Sequence, residues 1–234
     1  MPHNIDTFST AELYLMANAF GGEVLFGLPD KKLYQLKGEA VFAEAQQRLI
    51  EKEIVTSEGK LTDGGAYVIR ALEVYHQSKK FVRINNLMFA FQERVSDNLI
   101  MLIELEEGQT YRLHVISKSI ALRLLAEWFP FILRDSPGKA TTFLRKELTE
   151  KERQALEQFK PKEPIFNFES FQTEEDLLTH KTMTKHIQWL VFLQDDQLVM
   201  VHLHENKYYY VSPYWFLHQL FEALEFSHVE SMES

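Results

Sequence analysis

Nine histidines and not one cysteine bound the chemistry open to this chain. His202 and His204 stand two apart at the end of the apolar run Leu198-Val199-Met200-Val201. In a strand that spacing sends both side chains to one face, where they could share a metal ion. His114 and His186 are the remaining candidates for a third ligand, and nothing in their spacing brings either one there. His204-Glu205 opens like the helical two-histidine zinc motif, but Tyr208 stands where the second histidine belongs. No metal is expected, because a histidine pair on the outer face of a half-wet strand is satisfied by water. The lack of cysteine excludes disulfides, thiolate catalysis and thiolate metal sites, and suits a reducing compartment.

Other reactive patterns fail on spacing. Pro137-Gly138-Lys139-Ala140-Thr141 resembles the end of a phosphate-binding loop, yet Ala140 and Leu133 occupy the places of its magnesium-binding hydroxyl and its first glycine. Gly21-Gly22 with Gly27 follows a helix and has the wrong spacing for a dinucleotide fingerprint. The carboxylate groups Glu106-Glu107, Glu174-Glu175-Asp176 and Asp195-Asp196 fall where turns or helix starts are predicted, positions that favour acids on backbone grounds alone. No serine sits in a nucleophile elbow. These readings predict no catalytic residue, no cofactor and no enzyme.

The elements that must position any site follow from periodicity. Ser9 and Glu12 have the spacing of a capping box at the head of a helix that should stop at Gly21-Gly22. A second amphipathic helix is predicted from Gly38 to Lys52, with Val41, Phe42, Ala45, Leu49 and Ile50 on its inner stripe. A third is predicted from Thr62 to Ser78. From residue 81 the period becomes two, with strands at 87–91, 99–103 and 111–116 and then a helix from Ser117 to Trp128. The charged stretch Thr141 to Lys160 is expected to be helical. Strands at 187–192, 198–201 and 208–211 follow, and Ser212-Pro213 opens a last helix.

The end of the chain repeats its middle. Asp97-Asn98-Leu99-Ile100-Met101-Leu102 lines up with Asp196-Gln197-Leu198-Val199-Met200-Val201, and Ser117, Leu122 and Leu125 with Ser212, Leu217 and Leu220. A strand–strand–strand–helix unit used twice predicts an α+β fold: a quasi-two-fold central antiparallel β-sheet flanked by helices, with helices covering one face and an N-terminal winged-helix-like segment. The chain reads as a single α+β domain over 1–234. Within it, 1–80 is helical, 81–135 is the first β-meander and helix, 136–180 is a charged helical connector, and 181–234 is the second repeat. Twenty-five basic against 34 acidic side chains give a net charge of −9. No apolar run approaches the length of a membrane helix, and the N-terminus lacks the layout of a signal peptide, so the chain is expected to be cytoplasmic.

The segment Val41 to Leu72 has the pattern of a winged-helix end, which in other contexts reads DNA. Glu39, Glu44, Glu51 and Glu53 against Arg48 and Lys52 make its helix acidic. Phosphate contacts from Lys and Arg supply non-specific DNA affinity, so a scaffold role is favoured and no nucleic acid is expected as partner.

The whole order resembles a known family: an early helix ending in Gly-Gly, the turn Gly27-Leu28-Pro29, the piece from Gln47 to Val55 followed by Lys60-Leu61-Thr62, and a duplicated meander whose first copy closes on Trp128-Phe129-Pro130. These features are similar to the EspG-like proteins associated with type VII (ESX) secretion, particularly their short relatives in Gram-positive bacteria. The resemblance implies a cytosolic chaperone or adaptor that binds a helical, aggregation-prone secretion substrate, of WXG/LXG-like or PE/PPE-like kind, and keeps it soluble. A helix-binding surface needs aromatic and Met anchors. The candidates are Met101 in the first repeat and Met200, His202, His204, Tyr208, Tyr209 and Tyr210 in the second. Two other readings stay open: a winged-helix transcriptional regulator, and a metal-dependent enzyme using His202 and His204.

Overall fold

The computed structural model describes residues 5–92, 96–133, 144–157, 159–174, 182–194 and 196–226. The chain is α+β, with antiparallel strands flanked by helices. It divides into two compact units, residues 1–117 with 171–185 and residues 118–170 with 186–234.

The first unit opens with β1 (Thr7–Ser9) and α1 (Thr10–Ala17). Ser9 Oγ accepts from the Glu12 amide, and the Glu12 carboxylate accepts from the Ser9 amide at 2.6 Å, so the predicted capping box forms. The short α2 (Lys31–Gln35) is capped by Asp30, α3 spans Glu39–Glu51, and α4 spans Asp63–Gln77 with Thr62 as its cap. Glu12 is almost wholly buried, its side chain 2% exposed, and it pairs with Lys52 just beyond α3. Arg48 of α3 lies 3.8 Å from the same carboxylate, so one buried acid ties α1 to α3.

The wing between α3 and α4 exists as a bridge between Val55 and Leu61. Gly65 is obligatory beside it, because a Cβ there would lie 2.0 Å from the Ile54 carbonyl oxygen. The segment reaches the unit's core through Leu49, Ile54, Ala71 and Leu72, while the wing residues 57–61 are exposed.

Strands β2 (Lys80–Ile84), β3 (Leu87–Phe91), β4 (Asn98–Glu106) and β5 (Thr110–Ser117) follow. Their order is β1-β5-β4-β3-β2, each neighbouring pair antiparallel. Met88, Ala90, Ile100, Leu102 and Leu113 join Leu13, Leu72 and Tyr75 of the helices in one core. The loop Leu25–Pro29 crosses this core, and Gly27 adopts φ +78°, the left-handed region that a side chain resists. A Cβ on Gly27 would also meet Met88 Sδ at 1.8 Å. Gly27→Ala is therefore expected to cost about 1–3 kcal/mol. Calorimetry should show this as a melting temperature lower by several degrees, and an unchanged value would mean that the loop has room to shift.

The second unit begins with α5 (Lys118–Trp128), whose Lys118 Nζ donates to the Glu225 carbonyl at 2.7 Å. After it come β6 (Arg145–Glu147), α6 (Glu150–Glu157), β7 (Phe166–Glu174), β8 (Thr182–Gln194), β9 (Gln197–His202), β10 (Lys207–Val211) and α7 (Pro213–Ala223). The end of β7 from Phe171 and the start of β8 to Lys185 belong to the first unit. Here the order is β8-β9-β10-β6. Phe166 is the centre of an aromatic core, edge-on to Phe129 at 4.8 Å and to Phe216 at 5.5 Å. Ser212 caps α7 through the Trp215 amide, with proline in the first turn. The strand–strand–strand–helix order thus occurs twice, as β3-β4-β5-α5 and β8-β9-β10-α7.

Two expectations are corrected. The charged segment is not one helix in its described part: Arg145–Glu147 pairs with Tyr209–Val211 as a strand, and only Glu150–Glu157 is helical. Thr149 ends the extended stretch, its hydroxyl accepting from the Glu152 amide while its own amide donates to the Glu152 carboxylate. The expectation that helices cover one face alone does not hold for β3 and β9. Every residue of β3 is buried, and so are Leu198, Val199, Met200 and Val201 of β9. Continuous apolar runs of this kind signal strands covered on both sides. The turn expected at 134–138 and the phosphate-loop look-alike lie outside the described residues.

Candidate functional site

Two of the anchors predicted in β9 and β10, Met200 and Tyr209, face one another and not outward. Met200 lies opposite Tyr209, and they are 0% and 5% exposed. Met101 is 2% exposed, between Phe89 of β3 and His114 of β5. These three are packing residues with no surface to offer a partner in this conformation. Tyr208 and Tyr210 are half-buried, and the Tyr210 hydroxyl donates to Gln194 Oε1 at 3.2 Å. Arg145 of β6 lies over the Tyr209 ring at 4.0 Å and beside Trp215 at 5.2 Å, closing this side of the strand pair.

The two histidines have other partners. His202 packs edge-on against Trp189 at 4.6 Å, and its Nδ1 accepts from the Glu205 amide. Burial pushes its pKa down, with the charges of His204, Arg145 and Lys207 adding to that and Glu205 partly offsetting it. His204 is exposed, and its Nε2 lies 3.2 Å from Nδ1 of His186, whose Nε2 meets Glu169 at 3.2 Å. Among the described residues no group of three or more histidines and acids is arranged to hold a metal ion. His114 sits 4.0 Å from Asp6, and its pKa is lowered by burial despite that carboxylate.

One surface feature with built walls lies in the first unit, and no reactive residue pattern marks it. An open groove of about 760 Å³ is lined by Gly27, Leu28 and Pro29, by Asn85 and Asn86 of the β2–β3 turn with Arg83 beside them, by Glu104 and Leu105 at the end of β4, and by Glu107 and Gly108 of the β4–β5 turn. Tyrosine hydroxyls brace the backbone around it. Tyr14 donates to the Pro29 carbonyl at 2.6 Å, Tyr34 to Gly108 at 2.6 Å, Tyr111 to Gly27 at 3.4 Å and Tyr75 to Phe26 at 2.9 Å. Burial, with the charge of Asp30 beside it, raises the Tyr14 pKa to about 12. Tyr75 and Tyr111 are likewise pushed up, mainly by burial, so these hydroxyls remain donors at any physiological pH.

At the centre Glu104, its side chain 13% exposed, accepts from the Gly108 amide and Arg83, and shares the single proton of the Tyr111 hydroxyl, 3.3 Å away, with the Gly27 carbonyl. Arg83 Nε also donates to the Asn85 carbonyl and Asn86 Nδ2 to that of Glu104, so both turns are fixed to each other. The sequence signals that could have pointed here are the Gly27-Leu28-Pro29 turn and the leucine stranded among acids in Glu104-Leu105-Glu106-Glu107.

No helix of the described residues is long and apolar enough to cross a membrane. The chain is 32% identical over 139 residues to the type VII secretion system protein EsaE of Staphylococcus aureus, in strains USA300 and NCTC 8325 / PS 47. That alignment spans 59% of this chain and 58% of each relative. Its fold matches the Mycobacterium tuberculosis type VII secretion system chaperone EspG5, solved in complex with a PE25-PPE41 dimer, with a TM-score of 0.54. Identity there is only 9%, with 94% of both chains covered, so the likeness is one of fold. The model of the family described as "Domain of unknown function (DUF5081)" matches residues 2–232, and the chain belongs to that family.

Proposed function

We propose that this protein is a cytosolic chaperone or adaptor of type VII secretion, which binds a helical substrate and keeps it soluble until export. Its similarity to EsaE carries the reading, and the shared fold with EspG5 supports it. The role is one of binding rather than catalysis. The braced groove of the first unit is a surface for recognition, and its acidic lining holds no nucleophile paired with a base. The acidic surface of α3 argues against the DNA-reading use of the winged segment: Glu39, Glu44 and Glu51 are exposed there.

An affinity-tagged full chain recovered from its native cytosol tests this. The expected result is one small helical secretion protein, or a toxin with a helical N-terminal secretion domain, at one-to-one stoichiometry by mass spectrometry. Recovery of nucleic acid, or of no secretion protein, overturns it.

A further inference from the structure

We propose that the groove between the Gly27–Pro29 loop and the β2–β3 and β4–β5 turns docks a protein segment in which an apolar side chain is flanked by Lys or Arg. The inference rests on the binding role above and assigns that role a surface.

The walls need no ligand to hold them. Tyrosine hydroxyls fix the backbone of Gly27, Pro29 and Gly108, and the hydrogen bonds of Glu104 lock the two turns together. A site braced in this way loses little conformational freedom when it is filled. Its lining then dictates the occupant. Leu28 and Pro29 are half-buried, while Leu105 is 44% exposed, an isolated leucine that gains from being covered. The charges around it do not balance. Arg83 is engaged with Glu104, which leaves the exposed Glu107 on the lining and the exposed Glu106 next to it. An apolar side chain against Leu105 with a cation at Glu107 meets both demands. Nucleic acid and anionic lipid are repelled by the same acids.

The probe is a fluorescein-labelled helical hairpin with Lys-Leu-Leu-Lys across its turn, and its twin carries Glu-Leu-Leu-Glu. Anisotropy with the full chain at low salt should show binding of the Lys probe. Binding should weaken at least about tenfold for the twin and for the variants Leu105→Asp and Glu107→Lys. Both substitutions are on exposed side chains, so melting temperatures should stay at the wild-type value. Leu203→Asp, at an exposed leucine of the second unit, should leave binding unchanged. Failure of the Lys probe to bind, equal binding of both probes, or wild-type affinity in the two groove variants overturns the proposal. Recovering the secretion protein equally with wild type and Glu107→Lys sinks the groove and leaves the chaperone role standing. Groove-dependent probe binding without any secretion protein in the cytosolic recovery does the reverse.

Discussion

Glu12→Ala should lower the melting temperature by roughly 10 °C, the consequence of losing about 3–5 kcal/mol from a chain of this size. The carboxylate does two jobs at once. It closes the capping box by accepting from the Ser9 amide, and it neutralises Lys52, whose side chain is only 12% exposed. Truncation leaves the lysine buried without its counter-charge and an amide donor at the head of α1 without its acceptor. Glu12→Gln separates these contributions. The amide oxygen can still accept from Ser9, so the cap survives while the charge is lost, and the variant should melt between wild type and Glu12→Ala. If Glu12→Ala melts within about 2 °C of wild type, the ion pair is not what joins α1 to α3.

Met200→Asp should have the larger effect. The side chain is 0% exposed, flanked across the strands by Val191 and Tyr209. A carboxylate there has no partner in the pairing and no water, a cost beyond about 4 kcal/mol and enough to unfold the second unit. Near-UV circular dichroism should lose its aromatic signal, because Trp189, Tyr209 and Trp215 pack together at this place. His204→Ala is the contrasting variant. His204 is exposed, and loss of its contact with His186 should change stability by less than about 1 kcal/mol. A Met200→Asp protein that keeps its wild-type melting and loses only its partner would show that this position is a contact surface.

What could be read in advance was local. Ser9 with Glu12, Thr62 and Ser212-Pro213 each mark a helix start through a side chain that satisfies a free amide, and all three caps form. The two meanders were visible because alternation and turn residues act over a few positions. Elements that exist only through distant pairing were not. Thr7–Ser9 is a strand because Thr110–Arg112 lies beside it, and Arg145–Glu147 because Tyr209–Val211 does. No propensity in three residues carries that information. β7 is hidden although Phe166 and Phe168 alternate, because it follows the Pro-Lys-Glu-Pro stretch that reads as a linker.

The anchors at Met101, Met200 and Tyr209 were misplaced for a different reason. Residue type identified the apolar positions, while the number of covered faces is a property of the assembled layers. The groove was illegible in a third way. Its walls are shaped by carbonyls of Gly27, Pro29 and Gly108, which have no side-chain signature, and the three tyrosines bracing them come from three separate elements.

Among the described residues the two shortest strands, β1 and β6, each three residues long, have one feature in common: each pairs there with a single neighbour, at one end of the strand order. A bare outer strand is a template on which any extended chain can polymerise. Here the last rung offers three residues at most, and in β6 they are Arg145, Lys146 and Glu147, all exposed. Two edges this brief, one of them fully charged, deny any passing extended chain the long ladder from which a stack of strands could grow.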